Sequence, residues 1–403
     1  MSIGGRVAVA AIVLIGGALY ATGGKRDAGF AYIYTETVRY EPLAWLTGHD
    51  RFPQGATLQY ASEQKRCQLV PEFYASADAE VSYDGRRVLF AGKPTPAGPW
   101  QIWEADLEGG RPRQILNRAG DCVRPRYLPT GEVVYTRMTA EGSELEIAGK
   151  PITFAAGRNL TDQVLRDGRI LFETERLPGR RELFTVYPDG TGVESLRCDH
   201  GPDRGEARQI ASGDSIFRSG ERLARITSAL AAQTGVPQPD AAGAGPIAEI
   251  AAGVWLVSLK EGNGRLGLYR WKAEGNVTEP LEVPANGSAV DPVIAAPHAS
   301  PKQFPSALVT TRTAGNLLCL NARFSREPFD GAAVRSVRLY TRSAGQPVLL
   351  GEAPVESDGS FYIQVPADRP LRIEVADSSG RAVRGEHGWF WMRPSEQRIC
   401  VGC

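Results

Sequence analysis

The sequence predicts an all-β protein: a six-bladed β-propeller, then a small β-sandwich, with an apolar helix ahead of both. Three observations predict it. A phrase that sets a turn dipeptide before an apolar strand recurs at a period of about 40 residues, the spacing of four-stranded blades. Glycine (45) and proline (28) are plentiful while methionine (3) is scarce, a balance suited to short strands and tight turns. After residue 320 the rhythm gives way to strands of alternating polarity.

The first segment, "MSIGGRVAVAAIVLIGGALYATGGKR", carries an uninterrupted apolar run from Val7 to Thr22 between Arg6 and the pair Lys25 and Arg26. As a helix it reaches about 24 Å, somewhat short of the roughly 30 Å hydrocarbon core. Residues 1–26 therefore read as an export signal, either cleaved or kept as an inner-membrane anchor. No cysteine follows the run, which excludes lipid attachment there. Export places the remaining chain on the periplasmic side, where Cys67, Cys122, Cys198, Cys319, Cys400 and Cys403 can oxidise or carry haem. Residues 27–54 read as a linker. The 46 basic and 46 acidic side chains cancel, so no global field draws the protein to nucleic acid.

The propeller is expected over 55–322. "VSYDGRRVLFAGK" (81–93), "RYLPTGEVVYTRM" (126–138) and "QVLRDGRILFETE" (163–175) each open on a turn, at Asp84, Thr130 and Asp167, 46 and 37 residues apart. Weaker echoes stand at 210–220, 250–260 and 302–313. A lone blade leaves both sheet faces partly bare, so neighbours must stack and a ring leaves no open end. Phe90, Tyr135, Phe172 and Trp255 are then blade-to-blade core rather than ligand-stacking rings. Asp84 and Asp167 read as turn residues that cap their own backbone. The stretch 220–246 breaks the rhythm: Leu223, Ile226 and Leu230 at helical spacing predict a helix, followed by an Ala-, Gly- and Pro-rich loop.

Residues 323–403 read as the sandwich, with turns at "SDGS" and "DSSGR". Trp389, Phe390 and Trp391 either lie beside a flat cofactor or form the edge of the sandwich core, the second being preferred. The chain closes on "RICVGC". Two cysteines at this spacing suit a c-type haem stem, half a zinc site, a redox pair or a disulfide. Zinc is disfavoured, since a structural site takes four ligands and no second CxxC exists. Cys67 and Cys122 can pair between adjacent blades, and Cys319 reads as a buried small side chain. Cys198, Asp199 and His200 in "LRCDHG" read as a polar loop rather than a metal site.

"SYDGRRVLFAG", "WQIWEADLEGGRPRQI" and "RYLPTGEVVYTR" resemble the TolB-type propeller repeats of the hydrazine synthase alpha subunit family. "GNLLCLNARFS", "PVESDGSFYIQVPADRPLRIEVADSSGRAV" and "GWFWMRPSEQRICVGC" resemble the stretch of that family that runs into a haem-binding CxxCH. The resemblance covers about 55–403 and implies that Cys400 and Cys403 hold haem c by thioether bonds, with a histidine next in line as the axial ligand. No residue 404 is present, so an iron ligand from within the chain has to be His49, His200, His298 or His387. The expectation is that the natural polypeptide runs on past Cys403.

No GxSxG, HExxH or glycine-rich phosphate loop occurs, and no catalytic set is assigned. Two functions follow. One is an exported, membrane-tethered scaffold or docking protein of a periplasmic redox assembly. The other is the propeller portion of a c-type cytochrome like hydrazine synthase alpha, with haem c on Cys400 and Cys403 passing electrons to partner cytochromes or a membrane complex.

Overall fold

The computed structural model describes residues 29–139, 142–155, 157–177, 179–197, 203–228, 231–325, 328–386 and 388–402. The expected N-terminal helix over 1–26 lies outside them. Among the described residues no helix is long and apolar enough to cross a membrane, and three short 3-10 turns are the only helical pieces.

Six four-stranded antiparallel sheets occupy residues 32–294. The second contains Ala75–Val81, Arg87–Lys93, Gln101–Asp106 and Arg113–Gln114, and the third Cys122–Tyr127, Val133–Met138, Ser143–Ile147 and Lys150–Pro151. The fourth runs through Asn159–Val164, Ile170–Leu177, Arg180–Val186 and Glu194–Ser195. The fifth holds Gly205–Gln209, Ser215–Ser219, Arg222–Ile226 and Thr234–Gly235, and the sixth Ala248–Ala251, Val254–Lys260, Leu266–Lys272 and Val277–Glu282. The first sheet is built from both ends of this span. Its Tyr32–Thr37, Thr57–Ala61 and Arg66–Gln68 are joined by Ser288–Ile294, which pairs antiparallel with Tyr32–Thr37.

Apolar clusters lie between successive sheets and close on the first. Ile33 and Leu58 meet Val88 and Phe90; Leu89 and Ile102 meet Cys122 and Tyr135; Val134 and Leu145 meet Val164 and Phe172. Leu171 and Leu183 then meet Phe217 and Ile226, Ile216 and Leu223 meet Trp255 and Val257, and Leu256 and Leu268 meet Tyr32 and Ala289. Each sheet is thus buried on both faces, which removes the water that a lone sheet would leave on its apolar side. Phe90, Tyr135, Phe172 and Trp255 are all buried in this role, as expected.

The helix expected in the first half of 220–246 is replaced by the strand Arg222–Ile226, followed by the short strand Thr234–Gly235. Leu223 faces the sixth sheet and Ile226 the fourth. A strand buried on both faces places apolar residues at odd and even positions alike, and that imitates helical spacing. Leu230 lies outside the described residues.

The repeated turns form as expected. Asp84 Oδ1 accepts from the Arg86 amide at 3.1 Å and Asp167 Oδ1 from the Arg169 amide at 3.1 Å. Gly85, Gly131 and Gly168 follow at φ of 73°, 85° and 90°, a region that side chains disfavour. Residues 302–313 form no strand; they belong to a strap that leaves the first sheet after Ile294 and crosses these turns. The His298 amide donates to Tyr83 O at 3.0 Å and the Lys302 amide to Arg166 O at 2.9 Å. A Cβ at Gly168 would stand 2.3 Å from Lys302 O, whereas one at Gly131 meets nothing within 4 Å. Gly168→Ala is therefore expected to displace the strap and speed its cleavage in limited proteolysis, while Gly131→Ala costs only the backbone strain of about 1 kcal/mol.

Beyond the strap, two sheets face each other around one core of Leu317, Val337, Phe361, Leu371, Val375 and Met392. The three-stranded sheet places Ala314–Cys319 between Phe361–Pro366 and Gln397–Cys400; the four-stranded sheet has the order Gln346–Pro354, Ser336–Ser343, Leu371–Ala376, Ala382–Gly385.

Candidate functional site

The terminal cysteine strand is positioned by its neighbour. Gln397–Cys400 runs parallel to Ala314–Cys319 in the register Asn316 with Gln397, Leu317 with Arg398, Leu318 with Ile399 and Cys319 with Cys400. The Leu320 amide continues the ladder by donating to Cys400 O at 2.9 Å. Alternation then sorts the side chains. Leu317 and Cys319 point into the core, each 1% exposed, and half-buried Cys400 packs against that core beside them. Burial pushes the Cys400 thiol above its ordinary pKa.

The opposite face of the same strands is open and mixes apolar side chains with the hydrogen-bonded pair Asn316 and Gln397. Tyr362, Leu318 and Ile399 stand in one cross-strand row. Leu320, Phe324 and Val401 are exposed as well, Val401 at 70% and Ile399 at 65%.

A c-type haem needs two thioether sulfurs, an apolar flank and an axial ligand. Cys400 offers one sulfur, on the core face and not on the open face of the strands; Cys403 lies outside the described residues, as do Cys198, Asp199, His200 and His387. The remaining histidines sit elsewhere. His49 lines a cleft of about 50 Å³ with Trp45, Arg51, Asp78 and Trp100, and the His298 ring packs on Tyr83 of the second sheet at 5.2 Å. Neither lies in the sandwich that holds Cys400. Among the described residues no group of three or more His, Cys, Asp or Glu could hold a metal ion.

The aromatic run resolves residue by residue. Phe390 packs at the edge of the sandwich core, and Trp389 lies beneath the Arg372 guanidinium at 5.4 Å. Trp391 does neither of the things expected of it. Its ring is buried among Val134, Leu145, Val164 and Phe172 of the third and fourth sheets, and its Nε1 donates to Gly190 O at 2.9 Å. The Gly192 amide donates to Glu396 Oε1 at 3.1 Å, and Arg393 stands over the Phe154 ring at 4.6 Å. Tyr187 stacks on Phe304 of the strap at 3.8 Å. The 187–192 turn of the fourth sheet is therefore a socket that fixes the sandwich, and with it the cysteine strand, to the ring of sheets.

The other cysteines do not pair as the sequence suggested. Cys67 lies on the outermost strand of the first sheet and Cys122 on the innermost strand of the third, and both are free. The second sheet packs between the two that carry them, so the thiols stand in non-adjacent sheets. Burial pushes the Cys122 thiol up to about 12. Cys122 is expected to resist alkylation in the folded protein at pH 8 and to react fully on unfolding, as read by mass spectrometry.

A second constellation went unread in the sequence. The innermost strands of five sheets bulge at a charged residue: Asp78, Arg124, Asp162, Glu206 and Asp291. Four of them have positive φ, between 51° and 61°, a strained conformation that bulges impose. The Arg124 amide donates to Asp78 Oδ2 at 3.1 Å and its Nη1 to Asp162 Oδ1 at 3.2 Å. Arg51 bridges Asp78 and Asp291, and Tyr40 donates to Asp291 Oδ1 at 3.0 Å. Burial opposes the charge on Arg124, yet Asp291, Asp78 and Asp162 together hold it more firmly protonated than an ordinary arginine. For Asp78 burial is likewise overcome, by Arg51 and Arg124, and its carboxyl stays below the usual range. For Asp162 burial and then Glu173 prevail, raising it to about 8. A signal was present: the charge stands five or six positions ahead of the turn, 78 before 84, 124 before 130, 162 before 167 and 206 before 212.

Residues 331–403 match the family described as the hydrazine synthase alpha subunit middle domain. Hydrazine synthase subunit alpha of Kuenenia stuttgartiensis is 32% identical over 65 residues, 16% of this chain and 8% of that protein. This chain is related to the hydrazine synthase alpha subunit. A solved structure of Kuenenia stuttgartiensis hydrazine synthase superposes with a TM-score of 0.81 at 15% identity, over 93% of this chain and 69% of that one. TolB from Acinetobacter baumannii superposes at 0.51 with 16% identity, over 67% of each chain. The hydrazine synthase alpha-like chain thus has a β-propeller fold with TolB-like features, and its terminal cysteine strand lies within the stretch matched at the level of sequence.

Proposed function

We propose that the six stacked sheets are the blades of a closed TolB-like propeller, with the sandwich as a second domain. On this reading the chain is exported, held at the periplasmic face by its N-terminal apolar segment, and acts as a scaffold that presents the cysteine strand and its open face to partner proteins of a redox assembly. The seating of Trp391 in the ring of sheets carries the reading. A surface meant to align a partner has to be rigid with respect to its support, and here the support is a ring buried on every internal face. Protease added to spheroplasts that express the full chain is expected to digest it while carbonate washing leaves it with the membrane. Protection from the protease overturns the proposed location.

The match over 331–403 favours a second reading, in which Cys400 and Cys403 carry haem c. When bound, such a group supplies one-electron transfer. The chain's own residues would anchor its edge through Cys400, which packs against the sandwich core beside Cys319 and Leu317. Protein made with the haem-attachment machinery distinguishes the two readings: a haem-staining band on a denaturing gel with Soret absorption supports the cytochrome, and a colourless band the scaffold.

A further inference from the structure

We infer that Cys319 is a third thiol of the terminal cysteine site, placed to close a disulfide with Cys400 in an oxidising medium and so withhold Cys400 from any other covalent use. The register sets the two residues directly opposite each other on hydrogen-bonded parallel strands. Strands so paired lie about 4.8 Å apart, inside the Cα separation that disulfides span. Both side chains lie on the core face, where Cys400 packs against the cluster that contains Cys319. The opposition is not that of a fraying end, because three further pairs precede it and the Leu320 amide bonds the Cys400 carbonyl after it.

The chemistry balances with one oxidant. A low-molecular-weight disulfide is attacked by the more accessible Cys400 thiolate, releasing one thiol and leaving a mixed disulfide. Cys319 then displaces the second thiol, so that two protein thiols are oxidised, one disulfide is reduced to two thiols, and no net proton is consumed. Half-exposed Cys400 admits the reagent, while buried Cys319 can be reached only from Cys400. The order of attack follows from that difference in exposure.

The consequence touches the haem reading without depending on it. A sulfur bonded to Cys319 cannot form a thioether, so reduction of the Cys319–Cys400 bond would have to precede haem attachment at Cys400. The full chain, made without haem-attachment machinery, is equilibrated with oxidised glutathione, alkylated and digested without reduction. The expected product is a peptide linking Cys319 to Cys400, lighter than its parts by two hydrogens, lost on reduction, retained in Cys403→Ser and absent in Cys319→Ser. Recovery of Cys319 alkylated, with Cys400 alkylated, glutathionylated or joined to another cysteine, overturns the inference. The wild-type map alone decides if Cys319→Ser fails to fold. Because haem staining is scored on a separate preparation, failure here and failure of the cytochrome reading are told apart.

Discussion

Arg124→Met is expected to lower the unfolding free energy by about 3–5 kcal/mol, the range for removing one partner of a buried ion pair. Arg124 is 2% exposed and bonds carboxylates of two different sheets, Asp78 of the second and Asp162 of the fourth. Without it those carboxylates stay in a medium that cannot solvate them. The deficit should depend on pH. Burial already lifts the Asp162 carboxyl from 3.8 to about 8, so the folded state binds a proton there that the unfolded chain has released. A carboxyl raised in this way contributes stability that is complete at low pH and is lost as pH rises through its folded value. Denaturant titrations of Arg124→Met should therefore show a smaller loss near pH 6 than near pH 9. A loss under 1 kcal/mol at both would mean that the charges around Arg124 are solvated.

The second large effect is expected at the socket. Trp391→Ala removes a 2%-exposed indole from among side chains of the third and fourth sheets, a change that typically costs about 3–5 kcal/mol. Here the cost falls on one contact, that between the sandwich and the ring. The sandwich retains its own core around Val337, Phe361 and Val375, so limited proteolysis should release it as a folded fragment cut within 295–313. Trp391→Phe keeps most of the apolar contact and loses only the bond to Gly190 O, about 1 kcal/mol, and should leave the digestion pattern close to that of the unaltered protein. Equal release from both variants would shift the docking role to Arg393 and Glu396.

The two predictions concern residues that differ in how visible they are in the sequence. Phe90, Phe172 and Asp84 were legible because strand alternation and turn chemistry are local: a residue's role follows from its few neighbours in the chain. Cys319 was legible as a buried side chain for the same reason. Its position opposite Cys400 was not, because 81 residues separate them (400 − 319) and only the return of the last strand beside Ala314–Cys319 brings them together. The helix expected at Leu223 and Ile226 failed because burial on two faces erases the period that distinguishes strand from helix. Trp391 was read correctly as buried and assigned to the wrong core.

The sequence by itself determined the all-β class, the repeating turn-and-strand unit, the neutral charge that leaves nucleic acid without a field, and the cysteine pair at the chain's end. Tertiary structure decided that Ser288–Ile294 returns beside Tyr32–Thr37, which charges meet between the innermost strands, and which residue faces Cys400. The physical reason is that strand pairing joins residues by hydrogen bonds that carry no sequence mark of their own, so the partner across a ladder is fixed by the packing of whole sheets.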